Sequence, residues 1–577
     1  MEKYLTLKDP KAARRFLPTD FEITDWAGIQ PYYDQLLTRE LGSLTALEHF
    51  LKDRDELGSV IQEDRAWRYI KQTKDTQDVN LREAFIFFVK EILPHALTYE
   101  DKLNRKVVES PFFDQLADDP YLTYKRQTKR DIEIFRKENV DLFTKAREVS
   151  QQYQGKQGEL SIEHNEQTLT LQQAGKLLES RDRAFRKDVW HKMQEARAQI
   201  APTTSKLFVQ LVEIRHKIAQ NAGYDNFTDY QFDALGRFDY KLQDVEKFHD
   251  AVENEVRPIY MKLLEKRKEI MGVDTLRPWD LSVDIYGEEP LNPFKDGQDL
   301  KEKAKRVLGN LHPALGQMLG IMDDKGYLDL ESRVGKAPGG YNYPLAETGI
   351  PFIFMNAAGT QTDVTTMFHE SGHAVHSFVT NEIHLNTLKS TPSEVAELAS
   401  MAMELLCLDE YNVLYPEEST MKRAMKQQLD RCIDVFPWIA TIDAFQQWIY
   451  VNPEVSEEDR HGKFMELYKR FHGDVVDWSG YEETLSRLWL KQGHVFEMPF
   501  YYIEYAIAQL GALGVWRNYH QNPEKGLEDY LSALQLGYTR PIPEIYEAAG
   551  IKFDFSRENV RDCVQYCLRA YESIQLS

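Results

Sequence analysis

Residues 363–380 read DVTTMFHESGHAVHSFVT, a segment long enough to form a helix. Its histidines His369 and His373 are four residues apart, so on a helix both imidazoles lie on one face and can reach one zinc ion. Glu370 is turned by about 100° from the first histidine, and is better placed to take a proton from a metal-bound water than to bind the metal. A glycine such as Gly372 destabilises a helix interior by roughly 1 kcal/mol relative to alanine, so its presence indicates that space near the predicted site is limited.

A catalytic zinc site needs a third protein ligand and keeps one coordination position open for water. One known arrangement would place glycine at 376 and histidine at 379, but the chain has His376 and Val379, so we exclude that arrangement. We assign His376, one turn beyond the ligand face, a role behind the metal ligands or in packing. The remaining candidate ligands downstream are Glu382, His384, Glu394, Glu397 and Glu404.

The segment Thr391-Pro392-Ser393-Glu394 distinguishes among these candidates. This segment predicts a capping box, with Thr391 just before the helix, Pro392 at its first position and Glu394 at its third. In such a box the Glu394 carboxylate accepts a hydrogen bond from the backbone N–H of Thr391. Glu397 is one turn deeper and is free to face inward, so we predict it as the third zinc ligand. Glu404 follows along roughly the same face and is a candidate to orient a ligating histidine. A structural role for Glu404, as a hydrogen-bonded or solvated carboxylate, would explain its presence nearly as well.

Most of the chain is predicted to be helical, and the exception lies just before the zinc motif. Between residues 335 and 362, glycine and proline flank the short apolar run 351–355, PFIFM, a pattern typical of a strand. The predicted fold is therefore mainly α, with a small β-sheet next to the zinc helix. We place a boundary near residue 200, between an N-terminal helical lobe (1–200) and a catalytic domain (201–577) whose metal site lies within 335–410.

The composition limits the possible classes of function. The formal net charge is −22, from 93 acidic and 71 basic residues, which argues against nucleic-acid binding because phosphates require clustered lysine and arginine. No apolar run reaches the roughly 18 residues of a membrane span, and the first residues show no signal-peptide stretch. Four cysteines are too few for a disulfide framework in a chain of 577 residues. We therefore expect a protein of the reducing cytoplasm, without a membrane partner.

The motif HESGHAVH (369–376) and the glutamate of ELASM (397–401), 28 residues after the first histidine, resemble the M3 family of metallo-oligopeptidases. The similarity is greatest to its oligoendopeptidase F branch, whose relatives include thimet oligopeptidase. Further similar segments are EIRHKIAQNAGYDNFTDY (213–230), GGYNYP (339–344), GIPFIFMN (349–356) and HVFEMPFYYIEYAIAQLG (494–511). The resemblance covers residues 200–560. It implies two helical lobes around a deep substrate channel, and cleavage of short peptides rather than folded proteins.

The resemblance also implies roles for individual residues. By position, His369, His373 and Glu397 match the family's ligands for one zinc ion, and Glu370 matches its general base. A late segment, residues 490–511, contacts the substrate in the family, and here it offers His494, Tyr501, Tyr502 and Tyr505. We expect His494 and a phenol from Tyr502 or Tyr505 to stabilise the oxyanion, and Tyr501 to bind substrate.

The run 352–359 can pair with an extended peptide as an added strand, because small residues allow close backbone approach. We therefore predict substrate contacts at Asn356, Ala357, Ala358 and Gly359. Two other functions remain open. A zinc carboxypeptidase or other exopeptidase would need a charged group to capture a peptide terminus, and the sequence identifies none. A catalytically inactive helical scaffold would only bind peptides, and the complete set of two histidines and two glutamates argues against it.

Overall fold

The computed structural model describes residues 14–333, 335–337 and 339–575, and most of these residues are helical, as the sequence predicts. The first part of the chain contains α1 Trp26–Thr38, α2 Leu44–Lys74, α3 Val79–Phe87, α4 Leu93–Val108, α5 Asp118–Ile134, α6 Glu138–Gly158, the strands β1 Ser161–His164 and β2 Gln167–Thr170, α7 Leu171–Leu177 and α8 Arg183–Ala222. There follow α9 Phe227–Ala234, α10 Leu242–Ala251, α11 Arg257–Met271, α12 Gly297–Leu311 and α13 Pro313–Asp324.

The zinc motif lies in the next group of elements. These are β3 Leu328–Glu331, β4 Tyr341–Tyr343, β5 Phe352–Ala357, α14 Gln361–Val379, α15 Asn386–Lys389 and α16 Ser393–Leu406. The chain continues with α17 Glu418–Val451, α18 Glu457–His472, α19 Glu482–Ser486, α20 Gly493–Glu497, α21 Tyr502–Gln521, α22 Pro523–Gln535, α23 Ile542–Ala548 and α24 Arg557–Ser573. Among the described residues, every helix is too short or too polar to cross a membrane.

The two largest hydrophobic cores divide the described chain into two packing units. One core runs from Leu17 to Tyr124 in the N-terminal helices and also takes in two leucines of the α15 segment. The other extends from Val149 to Tyr571 and contains the zinc motif. The predicted boundary at residue 200 lies inside α8, a continuous helix of 40 residues, so the packing changes earlier in the chain than that boundary.

The strand predicted before the zinc motif is confirmed, at Phe352–Ala357. It is the central strand of a three-stranded sheet with the order β3-β5-β4, parallel to β3 and antiparallel to β4. Both edges of β5 are therefore occupied, and the expectation that it pairs with an added peptide strand is wrong. The local sequence pattern identifies a strand but not its neighbours, which lie up to two dozen residues earlier in the chain.

Helices α14 and α16 cross in close contact, and Gly372 lies at the crossing. A Cβ atom at this position would lie 2.4 Å from the carbonyl oxygen of Ala399 and 2.6 Å from the Cα of Ser400. Only glycine lets the two backbones approach so closely. The glycine inside the predicted helix is thereby explained, because this crossing brings the face with the histidines next to α16.

The predicted capping box at the start of α16 is wrong. Pro392 is the residue before the helix, and no described side chain caps its first turn. The Glu394 carboxylate instead accepts a hydrogen bond of 2.7 Å from the hydroxyl of Tyr240, and both side chains are buried. The Glu394 carboxylate is therefore bound by the hydroxyl of Tyr240, which is distant in sequence, and not by the backbone of Thr391.

Candidate active site

Helices α14 and α16 bring His369, His373 and Glu397 together. The Nε2 atoms of the two histidines lie 3.3 Å and 3.9 Å from Oε2 of Glu397, respectively. One ligand atom from each residue lies within 4.8 Å of the other two, a spacing at which the three could hold one metal ion. Two imidazoles and one carboxylate are the donors of many catalytic zinc sites, so the residues present fit a zinc ion.

The charges at this cluster favour a bound cation. Burial lowers the pKa of His369, but hydrogen bonds to Glu397 and Glu404 outweigh burial and hold that pKa well above its ordinary value. Burial raises the pKa of Glu397, yet the hydrogen bond from His369 and the charges of both histidines bring it down to about 2. At His373 burial dominates and lowers the pKa to about 4, so this imidazole is neutral near pH 7.

Glu404 lies behind His369, in the position predicted for an orienting residue. Its Oε1 atom is 2.7 Å from Nδ1 of His369, which leaves Nε2 facing the other ligands. Its Oε2 atom accepts a hydrogen bond of 2.8 Å from Gln428, whose own oxygen accepts from Thr365 at 2.6 Å. A carboxylate that orients a ligating histidine raises metal affinity. Sequence reasoning missed Gln428, because nothing local to α17 marks it.

The contacts of His376 bear on the two roles predicted for it, one behind the metal ligands and one in packing. It is buried, and burial lowers its pKa to about 3. Its hydrogen bond goes to the backbone of Leu534, while its Nε2 atom has no hydrogen-bond partner among the described residues. Its position therefore supports packing more than orientation of the metal site.

The carboxylate of Glu370 is buried beside the cluster but is not part of it. Its Oε2 atom has no hydrogen-bond partner within the described chain. Burial raises the pKa of Glu370 to about 7, with the charge of His369 opposing this shift and those of Glu397 and Glu404 adding to it. A buried, unsatisfied carboxylate oxygen next to a metal site is positioned to hold a water molecule and to exchange a proton with it.

These groups open into a cavity of about 460 Å³. Its walls are the β4 segment (340–346), the histidine face of α14, the α15–α16 segment, and residues of 494–505. Gly340, Tyr341 and Asn342 line the cavity next to α14: a Cβ atom on Gly340 would lie 3.8 Å from Oε1 of Glu370, and the Asn342 amide donates to the Glu370 carbonyl at 3.2 Å. The strand that borders the cavity is therefore β4, not β5.

Three of the four late residues predicted to contact substrate line this cavity: His494, Tyr501 and Tyr505. The Tyr501 hydroxyl donates a 2.6 Å hydrogen bond to Oε1 of Glu397, the carboxylate of the candidate metal cluster. Tyr502 is buried and does not line the cavity. This position argues against the predicted catalytic role of Tyr502, since its side chain is not part of the cavity wall.

His494 and Tyr505 belong to a directional chain of hydrogen bonds. Trp438 donates its indole N–H to Oε1 of Gln492 at 3.3 Å, which orients the amide so that its nitrogen donates to Nδ1 of His494 at 3.1 Å. Burial lowers the pKa of His494, which keeps the imidazole neutral. Its remaining proton is therefore on Nε2, 3.2 Å from the Tyr505 oxygen. The Tyr505 proton is left free to point into the cavity.

Two buried arginines hold the backbone of this late segment. Arg215 donates to the carbonyl of Val495 at 3.2 Å and to that of Phe496. Arg237 donates to the carbonyl of Phe500 at 2.6 Å, and Phe500 has a left-handed φ of 69°, which is unusual for a residue other than glycine. Sequence reasoning did not single out either arginine, although Arg215 lies in the segment 213–230 that supports the family resemblance.

The predicted substrate contacts at 356–359 are not available in this arrangement. The Asn356 amide donates to two carbonyls of the preceding loop, both at 2.8 Å. Ala357 pairs with β3, and the carbonyls of Ala358 and Gly359 accept hydrogen bonds from Lys176 at 3.2 Å and 3.4 Å. None of these four residues lines the cavity described above. The segment supports the start of α14 instead.

Comparisons with known proteins indicate which family the chain belongs to. The model of Peptidase family M3 matches residues 176–564, and that of the Peptidase M3 N-terminal domain matches residues 16–154. The chromosomal oligoendopeptidase F of Lactococcus lactis subsp. cremoris is 24% identical over 396 residues, which are 67% of this chain and 63% of that protein. This chain thus spans less than two thirds of the length of the curated relative.

Solved structures share the fold over nearly the whole chain. The structure titled PZ peptidase A with inhibitor 2 has a TM-score of 0.92 at 24% identity, covering 97% of this chain and 100% of the other. A putative oligoendopeptidase F from Bacillus anthracis has a TM-score of 0.87 at 22% identity, covering 97% and 99%. Since the M3 family model matches more than half of the chain, the protein is a member of peptidase family M3.

Proposed function

We propose that this protein is a zinc-dependent endopeptidase that hydrolyses short oligopeptides. The observation that carries the proposal is the position of Glu370, whose unpartnered carboxylate oxygen lies beside the convergent His369, His373 and Glu397. The family membership and the names of the relatives support it. When bound, zinc supplies Lewis acidity and lowers the pKa of a water molecule toward neutrality.

Glu370 acts as the general base. Its raised pKa, about 7 in the absence of a metal, means that the carboxylate takes up a proton readily, because burial disfavours its charge. It accepts a proton from the attacking water and then delivers this proton to the leaving amine, so the carboxylate returns to its starting state. The hydrogen bond between Tyr501 and Glu397 holds the third ligand in place while this proton moves.

Tyr505 stabilises the oxyanion that forms on the scissile carbonyl. Its proton is free because the neutral His494 donates to the phenol oxygen instead of accepting from it. A donor fixed before the reaction costs no reorganisation when the negative charge develops. His494 therefore orients Tyr505, and Tyr502 is not required for this step.

An extended substrate pairs with β4. This strand has one neighbour in the described sheet, β5, and its residues 341 and 342 line the cavity. Main-chain hydrogen bonds to such an edge bind many peptide sequences with little dependence on side chains. A cavity of about 460 Å³ accepts a short peptide segment and excludes a folded domain. We place the enzyme in the cytoplasm, because all four of its cysteines are buried free thiols.

The test is hydrolysis of a peptide blocked by N-acetyl and C-amide groups, with products identified by mass spectrometry, with and without a chelator. Internal cleavage that the chelator abolishes and zinc restores supports the proposal. Release of terminal residues from an unblocked peptide only would indicate an exopeptidase. In Glu370→Gln we expect zinc content to stay and the rate to fall by about 10²–10⁴. Normal hydrolysis by that variant would show that the assigned base is wrong.

A further inference from the structure

The cavity at the zinc site contains one unusual charged group. Among the described residues that line it, Lys389 is the sole lysine or arginine. The lysine is the last residue of α15 and precedes α16, which carries Glu397, by a few residues. The mechanism proposed above does not use this cation, although it faces the same space as the reacting groups.

Lys389 has no ion-pair partner within 4.0 Å in the described part of the chain. Burial lowers the pKa of its ammonium group, while the more distant charges of Asp55 and Glu382 oppose that shift. The oxygens of Asp55 are already engaged, since they accept hydrogen bonds from the backbone of Asn386 at 2.8 Å and of Thr387 at 3.1 Å. A partly desolvated ammonium group without a counter-ion is a favourable position for an anion.

The backbone around Lys389 is held from several sides. Asp55 of α2 binds the first backbone N–H groups of α15, as described above. The carbonyl of Leu388 accepts a hydrogen bond of 2.7 Å from the backbone of Tyr538, and Leu388 is fully buried. The position from which the lysine reaches into the cavity is therefore set relative to the catalytic groups, as a selective contact requires.

We propose that Lys389 binds a carboxylate of the peptide substrate and thereby selects which peptides are cleaved efficiently. The proposal rests on the proposed function and adds the substrate class: peptides that carry a carboxylate at a set distance from the scissile bond. A charge-assisted hydrogen bond between ammonium and carboxylate compensates the desolvated cation. The C-terminal carboxylate of a short peptide and an acidic side chain both supply this chemistry.

The experiment measures the ratio of kcat/KM for matched peptides. One cleavable sequence is made as the free C-terminal acid and as the C-terminal amide, and two further amides end in Asp or Asn. For the wild type we expect the free acid to be preferred by about 10-fold to 100-fold, and for Lys389→Met we expect a ratio near 1. Lys389→Arg should keep part of the preference, because it keeps the charge.

Lys52→Met is the matched control, since Lys52 is exposed and does not line the cavity, and its ratio should equal that of the wild type. Zinc content is measured for every variant to verify that the metal cluster is intact. An Asp-over-Asn preference that disappears in Lys389→Met, without an acid-over-amide preference, supports the carboxylate site with a side chain as its source. Equal preferences in the wild type and Lys389→Met overturn the inference while hydrolysis itself persists. If the wild type cleaves none of these peptides, the proposed function fails as well.

Discussion

The missing side chain of Gly372 makes room for the backbone of Ser400, because a Cβ atom at position 372 would lie 2.6 Å from the Ser400 Cα. This contact sets the distance between the helix that carries the two histidines and the helix that carries Glu397. The convergence of the two histidines with Glu397 is therefore a consequence of helix packing as much as of the motif itself. A change at residue 372 alters the site without touching any predicted ligand.

Gly372→Ala should lower both stability and zinc affinity. The added methyl group meets backbone atoms, which cannot move aside as a flexible side chain can, and overpacking of this kind costs about 1–3 kcal/mol. Urea unfolding and a competitive zinc-binding assay measure the two effects. Gly462→Ala is the control: Gly462 lies inside α18, where an added Cβ would meet no described atom within 4 Å, so that variant should be as stable as the wild type or about 1 kcal/mol more stable.

Tyr505→Phe and Tyr502→Phe should differ strongly in activity. Removing one preorganised donor to an oxyanion costs about 10²–10³ in kcat, so we expect this loss for Tyr505→Phe with KM little changed. Tyr502→Phe removes the hydroxyl of a buried residue that does not line the cavity, and its kcat should stay within a few-fold of the wild type. Steady-state kinetics of the two variants on one peptide provide the comparison. Equal losses would mean that the cavity lining does not identify the oxyanion donor.

Arg237→Met should destabilise the protein because it leaves Glu504 buried without its partner. The two side chains form an ion pair of 2.9 Å, and each is almost fully buried. Breaking a buried pair by removing one partner costs about 3–5 kcal/mol. The double variant Arg237→Met/Glu504→Met should recover much of this loss in a urea titration. If the double variant is no more stable than the single one, the arginine acts mainly through the carbonyl of Phe500.

Stability should fall with decreasing pH below about 6.5, in part because of His472. Burial lowers the pKa of this imidazole from its ordinary 6.5 to about 3, so between these values the unfolded chain binds the proton more readily than the folded one. The contribution of His472 is thus fully present above pH 6.5 and is lost as the pH falls toward 3, at up to about 1.4 kcal/mol per pH unit. Unfolding titrations at pH 7 and 5 on the wild type and His472→Gln measure it. The variant should lose less stability than the wild type between pH 7 and 5. An equal loss would exclude His472 as a source of the pH dependence.

The parts of the site that can be predicted from sequence are those set by short-range periodicity. Helical spacing is enough to place His369 and His373 on one face and to turn Glu370 aside. The strand before the motif is recognisable from its turn residues. Glu397 also lies in the predicted position, but one argument for it fails, since the capping box expected to occupy Glu394 does not form.

The remainder depends on contacts between segments far apart in the chain. Tyr501 meets Glu397 across 104 residues, and Arg215 meets Val495 across 280. Glu394 has a buried partner, Tyr240, that no local pattern indicates. The strand β5 is central because β3 and β4 occupy its two edges, which moves the predicted peptide-binding edge to β4. Such pairings follow from the tertiary packing, and one sequence alone does not specify them.

The most direct test of the metal cluster is the zinc content per chain of Glu397→Ala, measured by elemental analysis after dialysis, beside the wild type and Glu382→Ala. Glu382 is another candidate ligand in the sequence, but it is exposed and lies outside the cluster. We predict one zinc ion per chain in the wild type and in Glu382→Ala, and almost none in Glu397→Ala. Wild-type zinc content in Glu397→Ala would contradict the assignment of His369, His373 and Glu397 as the ligands.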